Sequence, residues 1–242
     1  MLGLLTDFGS ADIYVGQLHA RAQSLAPSVP LIDIIHDLMP YQVAAAAHLL
    51  PALMTKLPEL RGWMAVVDPG VGTQREVIAA RLDGVWLVGP DNGLLSVAVT
   101  RANHAELFRC TWRPEQCSTS FHGRDVFLPL VLELLQGYGR DKLEPLDQLT
   151  QPFLADDLAQ IIYVDHYGNL FTGLRAGQLA PDAAIRIGDK LIRRAGTFGD
   201  VAPGELFWYE NSIGLAEIAC NQNSAARLLG VAVGEHCTVV RG

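Results

Sequence analysis

The sequence predicts an α/β protein: an N-terminal, Rossmann-like, mostly parallel sheet with flanking helices, then a smaller C-terminal antiparallel β domain. Three observations carry this prediction. From Leu2 to Val67, short apolar runs alternate with stretches of helical period, the pattern of a parallel sheet with right-handed crossovers. Each run stops abruptly in polar or turn residues: Thr6-Asp7, His36-Asp37 and Asp68-Pro69-Gly70. Beyond Asp157 the texture changes to short β-like runs separated by turns, which reads as a small antiparallel sheet or barrel.

Leu2 to Leu5 is the first strand. Ser10 is an N-cap candidate for a helix from Ala11 to about Ala26, whose apolar side uses Ile13, Leu18, Ala22 and Leu25. Val29 to Ile35 is the second strand. A helix follows from about Tyr41 to Lys56, with Pro51 expected to bend or split it. Trp63 to Val67 is a Val-rich buried strand. Val77–Leu82 and Val85–Val88 read as a hairpin around Asp83-Gly84. Leu94–Thr100 is a short helix, Ala105–Arg109 a strand, and Phe121 to Asp125 opens a helix running to about Leu135. The domains are therefore expected at 1–140 and 158–242, with the aperiodic stretch 141–157 as linker. Strands in the second domain are expected at Gln160–Val164, Leu170–Leu174, Ala184–Ile187, Leu191–Arg194, Glu205–Tyr209, Gly214–Ala219 and Val231–Val233.

A chain of 242 residues, half of them apolar and 18% charged, is long enough for a real core and is not disordered. The net charge of −8 argues against a nucleic-acid partner, which would need clustered Lys and Arg. Met1 to Leu5 is too short and lacks the basic lead-in of a signal peptide, and no apolar stretch reaches membrane-spanning length. Cys110, Cys117, Cys220 and Cys237 lack metal-site spacing and read as reduced, mostly buried thiols. A cytoplasmic protein acting on a small molecule, without nucleic acid or membrane, is the expectation.

Chemistry-bearing residues gather where strands end, and open α/β sheets bind ligands beyond the carboxyl ends of their strands. Asp7 and Asp68 both stand there, and the turn Pro69-Gly70-Val71-Gly72 can carry Arg75 back to the same edge. Bland alternatives exist for each. Asp7 and His122 can be helix caps, Asp68 a turn residue, and Arg75 a solvated charge. Arg124 with Asp125 reads as a structural ion pair, and Asn92 as a turn residue of positive φ. Asp12, His36 and Asp37 fit no recognised ligand spacing and read as solvated strand-end residues. The four tryptophans read as core or interface.

Six strings, taken in order, resemble one family: Leu5-Thr6-Asp7-Phe8-Gly9, Val66 to Thr73 with Arg75, Val88 to Leu95, Phe121 to Phe127, Val164 to Asn169, and Asn211 to Ala219. The chain resembles the adenosine-forming S-adenosyl-L-methionine (SAM) hydrolases, also called SAM hydroxide adenosyltransferases, which are related to the fluorinases and chlorinases. The resemblance implies that Asp68, Arg75 and His122 form a triad handling the attacking water or hydroxide, while Asp7 grips the ribose hydroxyls. It implies that Asp165 and Ser212 hold the methionine end, that Tyr167, Asn169 and Phe198 frame the adenine, and that backbone near Cys220 and Gln222 reads its edge. It further implies a homotrimer with each site between the N-terminal domain of one subunit and the C-terminal domain of the next, no metal, and no cofactor beyond SAM itself as substrate.

That chemistry suits these residue types. A sulfonium leaves C5′ as a neutral thioether and needs no general acid, so the difficulty lies in the nucleophile. Fixing water in line and favouring loss of its proton would help. Arg75 would stabilise hydroxide character, and His122 could donate to that oxygen or accept from it. Asp68 could orient the water, accept its proton or hold the ribose. A halide adenosyltransferase is the rival within the family. Asp68 would repel the anion, however, and the stretch from Arg75 to Pro90 holds only a compact hairpin where the fluorinase branch carries an insertion. Ile213 stands where that branch has a basic residue beside the methionine carboxylate. A non-catalytic SAM or adenosine sensor would not need Asp68, Arg75 and His122 together, and a metal-dependent nucleotide hydrolase would be stopped by a chelator.

Overall fold

The computed structural model describes residues 1–241, which divide into two compact units at Ala155/Asp156. The first contains, in order, β1 (Leu2–Thr6), α1 (Ile13–Leu25), β2 (Leu31–Ile35), α2 (Val43–Lys56), β3 (Gly62–Val66), β4 (Val77–Leu82), β5 (Val85–Pro90), α3 (Ser96–Arg101), β6 (Ala105–Cys110), α4 (Leu128–Leu135) and β7 (Leu143–Pro145). Seven strands form one sheet in the order β2-β1-β3-β5-β4-β6-β7. β2, β1, β3 and β5 run parallel, and β4, β6 and β7 add antiparallel pairings. β1 and β3 are buried along their whole length, which explains their unbroken apolar sequences. Met64 and Val66 pack with Leu2 and Leu4 against α1 and α4.

The chain leaves β1 towards β2 on one side and returns to β3 on the other. The order of strands therefore reverses at β1/β3, and a crevice opens beyond their carboxyl ends. β5 ends at the same edge, and antiparallel β4 begins there, since Val77 pairs with Pro90. Asp7, Asp68, Arg75 and Asn92 consequently share one rim.

Several local expectations are corrected. α1 starts at Ile13 behind Asp12, because Ser10 donates to Asp37 and caps no helix. Leu18 and Ala22 face the core, but Ile13 and Leu25 are exposed. α2 is not split at Pro51 but continues through it as one helix. The helix at Phe121 begins as a π-helical turn, Gly123–Phe127, which closes with Leu128 N–H donating to the Gly123 carbonyl. Residues 143–145, within the stretch read as linker, are the edge strand β7, and the first unit runs to Ala155.

The second unit contains β8 (Leu158–Val164), β9 (Leu170–Arg175), β10 (Ala184–Ile187), β11 (Lys190–Ile192), β12 (Leu206–Glu210), β13 (Leu215–Cys220), α5 (Ala225–Leu229) and β14 (Thr238–Val240). Its antiparallel sheets are β12-β13-β9-β8 and β11-β10-β14. The last strand is Thr238–Val240, paired with β10, whereas Val231–Val233 pairs with nothing in either sheet. Ile161, Leu170, Ile218 and Trp208 centre the core, and the buried Trp208 indole satisfies its N–H on the Ala183 carbonyl at 3.0 Å.

Candidate active site

In the first unit the structure brings Asp68, Arg75 and His122 together. Asp68 lies two residues past β3, in a turn where its Oδ1 accepts from Gly70 N–H at 3.2 Å. Gly72, at φ +78°, lets this turn lie against the Thr119 carbonyl, where a Cβ would stand only 2.7 Å from that oxygen. Arg75 folds back, its Nε 2.9 Å from both Asp68 oxygens and its second terminal nitrogen also on Oδ2. That same nitrogen donates to His122 Nδ1 at 3.1 Å. The side chains of Arg75 and Asp68 are 8% and 5% exposed, and the guanidinium stacks 5.0 Å from the Phe127 ring.

This geometry assigns proton positions. Arg75 can only donate, so His122 Nδ1 is an acceptor and the imidazole is neutral with its proton on Nε2. Burial and the charge of Arg75 also hold His122 below the ordinary imidazole range. The Asp68 oxygens are occupied by Arg75 and Gly70. The group therefore presents donors rather than a vacant base. Arg75 Nη1 is buried and has no partner among the described residues.

His122 is placed by the π-helical turn, a feature frequent at functional sites. Gly123 packs so closely on Phe8 that a Cβ would sit 2.8 Å from its ring. Asp125 holds the preceding loop through Ser118 N–H at 2.8 Å and pairs with Arg124 at 2.7 Å, the structural ion pair expected. A cavity of about 60 Å³, room for a few waters, is lined by Asp7, Phe8, Val66, Asp68, Phe121 and His122. Asp7 has its carboxyl pushed up to about 6 by burial and by the charge of Asp68. A larger cleft of about 590 Å³ is lined by Tyr41, Gln42, Pro69, Arg75, Asn92 and Phe153 among others.

Asn92 corrects the sequence reading. Its φ is not positive, Gly93 takes that role, and its side chain donates to the Val67 carbonyl at 2.8 Å while accepting from Leu94 N–H. It thereby ties the β5 exit to the residue before Asp68. His36 is likewise buried rather than solvated, whereas Asp12 and Asp37 are exposed. No cluster of three or more metal-ligating side chains occurs among the described residues. Trp63, Trp86 and Trp208 are core and Trp112 is half-buried.

In the second unit a cavity of about 790 Å³ gathers every candidate residue of that half: Asp165, Tyr167, Asn169, Phe198, Ser212, Cys220 and Gln222. Asp165 organises its own hairpin, accepting from the Tyr167 and Asn169 N–H groups at 2.9 and 2.8 Å and from Asn169 Nδ2 at 3.0 Å. Tyr167 is 76% exposed at the rim. Phe198 is half-buried and not core, standing edge-on to Phe207 and Tyr209 at 5.0 and 5.6 Å. Gln222 adopts φ +56° and turns the chain after buried Cys220.

Sequence reasoning missed three residues here. Glu217 is 3% exposed and accepts from Tyr209 Oη at 2.6 Å and Asn211 Nδ2 at 3.0 Å. Burial pushes its carboxyl above the usual range, and burial with Glu217 beside it raises the Tyr209 phenol. The available signal was a lone acid inside the apolar run of β13. Aromatic walls with amide and carboxylate edges suit a flat heteroaromatic ring.

Two family profiles match the chain: the SAM hydroxide adenosyltransferase N-terminal domain over residues 2–144 and the C-terminal domain over residues 159–238. An (R)-S-adenosyl-L-methionine hydrolase of Salinispora tropica is 36% identical, covering 100% of this chain and 98% of that protein. An uncharacterised conserved protein of Thermotoga maritima has a crystal structure that superposes with a TM-score of 0.87 at 30% identity, covering all of both chains. A fluorinase of Actinopolyspora mzabensis is more distant, 22% identical over 100% of this chain and 97% of its own.

Proposed function

The chain belongs to the SAM hydroxide adenosyltransferase family, and we infer that it hydrolyses SAM to adenosine and L-methionine by attack of an activated water at ribose C5′. The observation that carries this reading is the convergence of Asp68, Arg75 and His122, of which Asp68 and His122 line a cavity of water size while Arg75 bridges the two. In the reaction a C5′–O bond forms and the C5′–S bond breaks, its electron pair passing to sulfur and leaving a neutral thioether. The attacking water gives up a proton to solvent. Arg75 and the His122 Nε2–H stabilise the oxygen as it gains hydroxide character, and Asp68 holds Arg75 in place. Asp7 takes the two ribose hydroxyls, a demand one carboxylate meets with two accepted hydrogen bonds.

Asp165 and Ser212 hold the methionine end. Tyr167, Asn169 and Phe198 frame the adenine, with backbone near Cys220 and Gln222 on its edge. The resemblance to the family supports a homotrimer whose sites combine the N-terminal unit of one subunit with the C-terminal unit of the next. Neither metal nor cofactor is required, because a sulfonium needs no Lewis acid to leave. The four free cysteines favour the cytoplasm, and no helix among the described residues is long and apolar enough to cross a membrane. The Salinispora relative's name specifies the R epimer at sulfur, and this chain is expected to share that preference.

The test is to incubate purified protein, without added metal, with each separated sulfonium epimer in ¹⁸O-water. Label in the 5′ oxygen of adenosine, formed faster from the R epimer, is the expected result. Unlabelled adenosine, methylthioadenosine, or a 5′-halogenated nucleoside on adding chloride or fluoride would each dismiss the hydrolase reading.

A further inference from the structure

The carboxylate of Asp7 has no side-chain partner among the described residues, yet the loop that carries it is tied down immediately beside it. Beyond β1, Gly9 N–H donates to the His36 carbonyl at 2.7 Å, Leu38 N–H to the Thr6 carbonyl at 3.3 Å, and Ser10 N–H to Asp37 at 2.9 Å. A line of side chains reinforces these contacts. Phe8 N–H reaches Thr6 Oγ1 at 3.3 Å, Thr6 Oγ1 lies 2.7 Å from His36 Nδ1, and His36 Nε2 lies 3.0 Å from Asp33 Oδ1. His19, from α1, closes the outer end on both Asp33 oxygens at 2.9 Å.

The two ends of this line have fixed roles. Phe8 N–H can only donate. Asp33 is ionised, since hydrogen bonds from His36 and His19 outweigh the upward pull of its own burial. His36 therefore carries a proton on Nε2, and its Nδ1 shares a hydrogen bond with the Thr6 hydroxyl, whose oxygen also accepts from Phe8 N–H. Thr6 is wholly buried and His36 is 5% exposed, so losing either partner strands a polar atom away from water. Only the outer members, His19 and Asp33, are half in solvent.

We propose that His36, oriented by Asp33, is a positioning residue for Asp7: through Thr6 Oγ1 it holds the turn at Phe8 and so aims the Asp7 carboxylate at the ribose diol. This rests on the ribose role given to Asp7 above. A misaimed carboxylate would weaken recognition of the hydroxyls while leaving the fold intact.

The experiment titrates the full chain calorimetrically with adenosine and with 2′-deoxyadenosine. Wild type should prefer adenosine, and Thr6→Val and His36→Leu should lower that preference about tenfold. Thr6→Ser should restore it, as should His36→Asn, whose amide reaches the position of Nδ1. Should the apolar variants not fold, His36→Asn is compared with His36→Gln, which reaches towards Asp33 but not Thr6. Preference kept by Asn and lost by Gln supports the proposal. A wild type that prefers adenosine, with variants that prefer it equally whatever their thermal midpoints, overturns the proposal alone. A wild type indifferent to the 2′-hydroxyl overturns the ribose reading of Asp7 and the proposal with it.

Discussion

Replacing Arg75 by lysine tests the mechanism most directly. The guanidinium engages Asp68 through Nε at 2.9 Å and through a terminal nitrogen that also reaches His122 at 3.1 Å. A lysine has one nitrogen and cannot span both partners. It keeps the charge that a carboxylate only 5% exposed requires, so the fold should survive. Arg75→Ala would instead leave Asp68 buried and unpaired, a loss of about 3–5 kcal/mol from a total stability of order 5–15 kcal/mol. With lysine, His122 Nδ1 loses its donor and the imidazole is free to adopt the wrong tautomer. The oxygen also loses a fixed donor, a change that lowers kcat by about 10²–10³, or roughly 2.7–4 kcal/mol. Chromatographic release of adenosine gives kcat, calorimetry the affinity for SAM, and thermal unfolding the stability. The expected result is normal affinity, a nearly normal midpoint and the kcat loss just given. A kcat within about threefold of wild type would refute the role assigned to Arg75.

Other perturbations probe the rest of the site. Asp7, with its carboxyl pushed up to about 6, must ionise to accept from the ribose, so adenosine affinity should fall about tenfold per unit below that pH. Asp7→Asn should abolish this pH dependence and weaken binding throughout. The sign for folding is the opposite: the raised carboxyl makes the folded state hold its proton more tightly. Its contribution is therefore greatest below the unfolded value and is lost as pH rises to about 6. His122 is held below the usual imidazole range by burial and then by Arg75, so kcat should be level above pH 7 and fall only in acid. Gly168→Ala, at φ +83° with a Cβ placed 2.0 Å from Ser224 Oγ, should cost about 2 kcal/mol or more, read as a lower denaturant midpoint with weaker adenosine binding. An unchanged midpoint would contradict the close packing of that hairpin on α5. Mixing Asp68→Asn with Tyr167→Ala subunits should restore about a quarter of the sites if each is shared between neighbours in a cyclic trimer. Activity absent at every mixing ratio would rule sharing out.

Much of the site was legible because its signals are local. Strand exits are marked by abrupt changes such as Val67-Asp68-Pro69, and these put Asp7, Asp68 and Arg75 on one rim once the parallel order was read. Pairing is not local. β7 is three residues long and contains Pro145, so it has no period to detect, and it is a strand only because β6 offers an open edge. Val231–Val233 has a strand's composition but no partner, while Thr238–Val240 finds one in β10. Asn92, a turn residue by composition, proves to be a clasp because Val67 directly follows the neighbouring strand β3.

Residue order alone was enough to establish an α/β unit with a mostly parallel sheet followed by a β unit, and the chemical types gathered at the strand ends, since these follow from short-range periodicity and turn punctuation. The reversal of strand order at β1/β3, by contrast, came from the fold. Only the folded chain decided that Arg75 bridges Asp68 and His122, that His122 is neutral with its proton on Nε2, that His36 is buried behind Thr6, and that Glu217 props Tyr209 in the second pocket. The reason is physical. Hydrogen-bond direction and desolvation depend on ångström separations between segments as far apart in sequence as Arg75 and His122, and those separations are fixed by sheet register and helix packing rather than by any neighbouring residue.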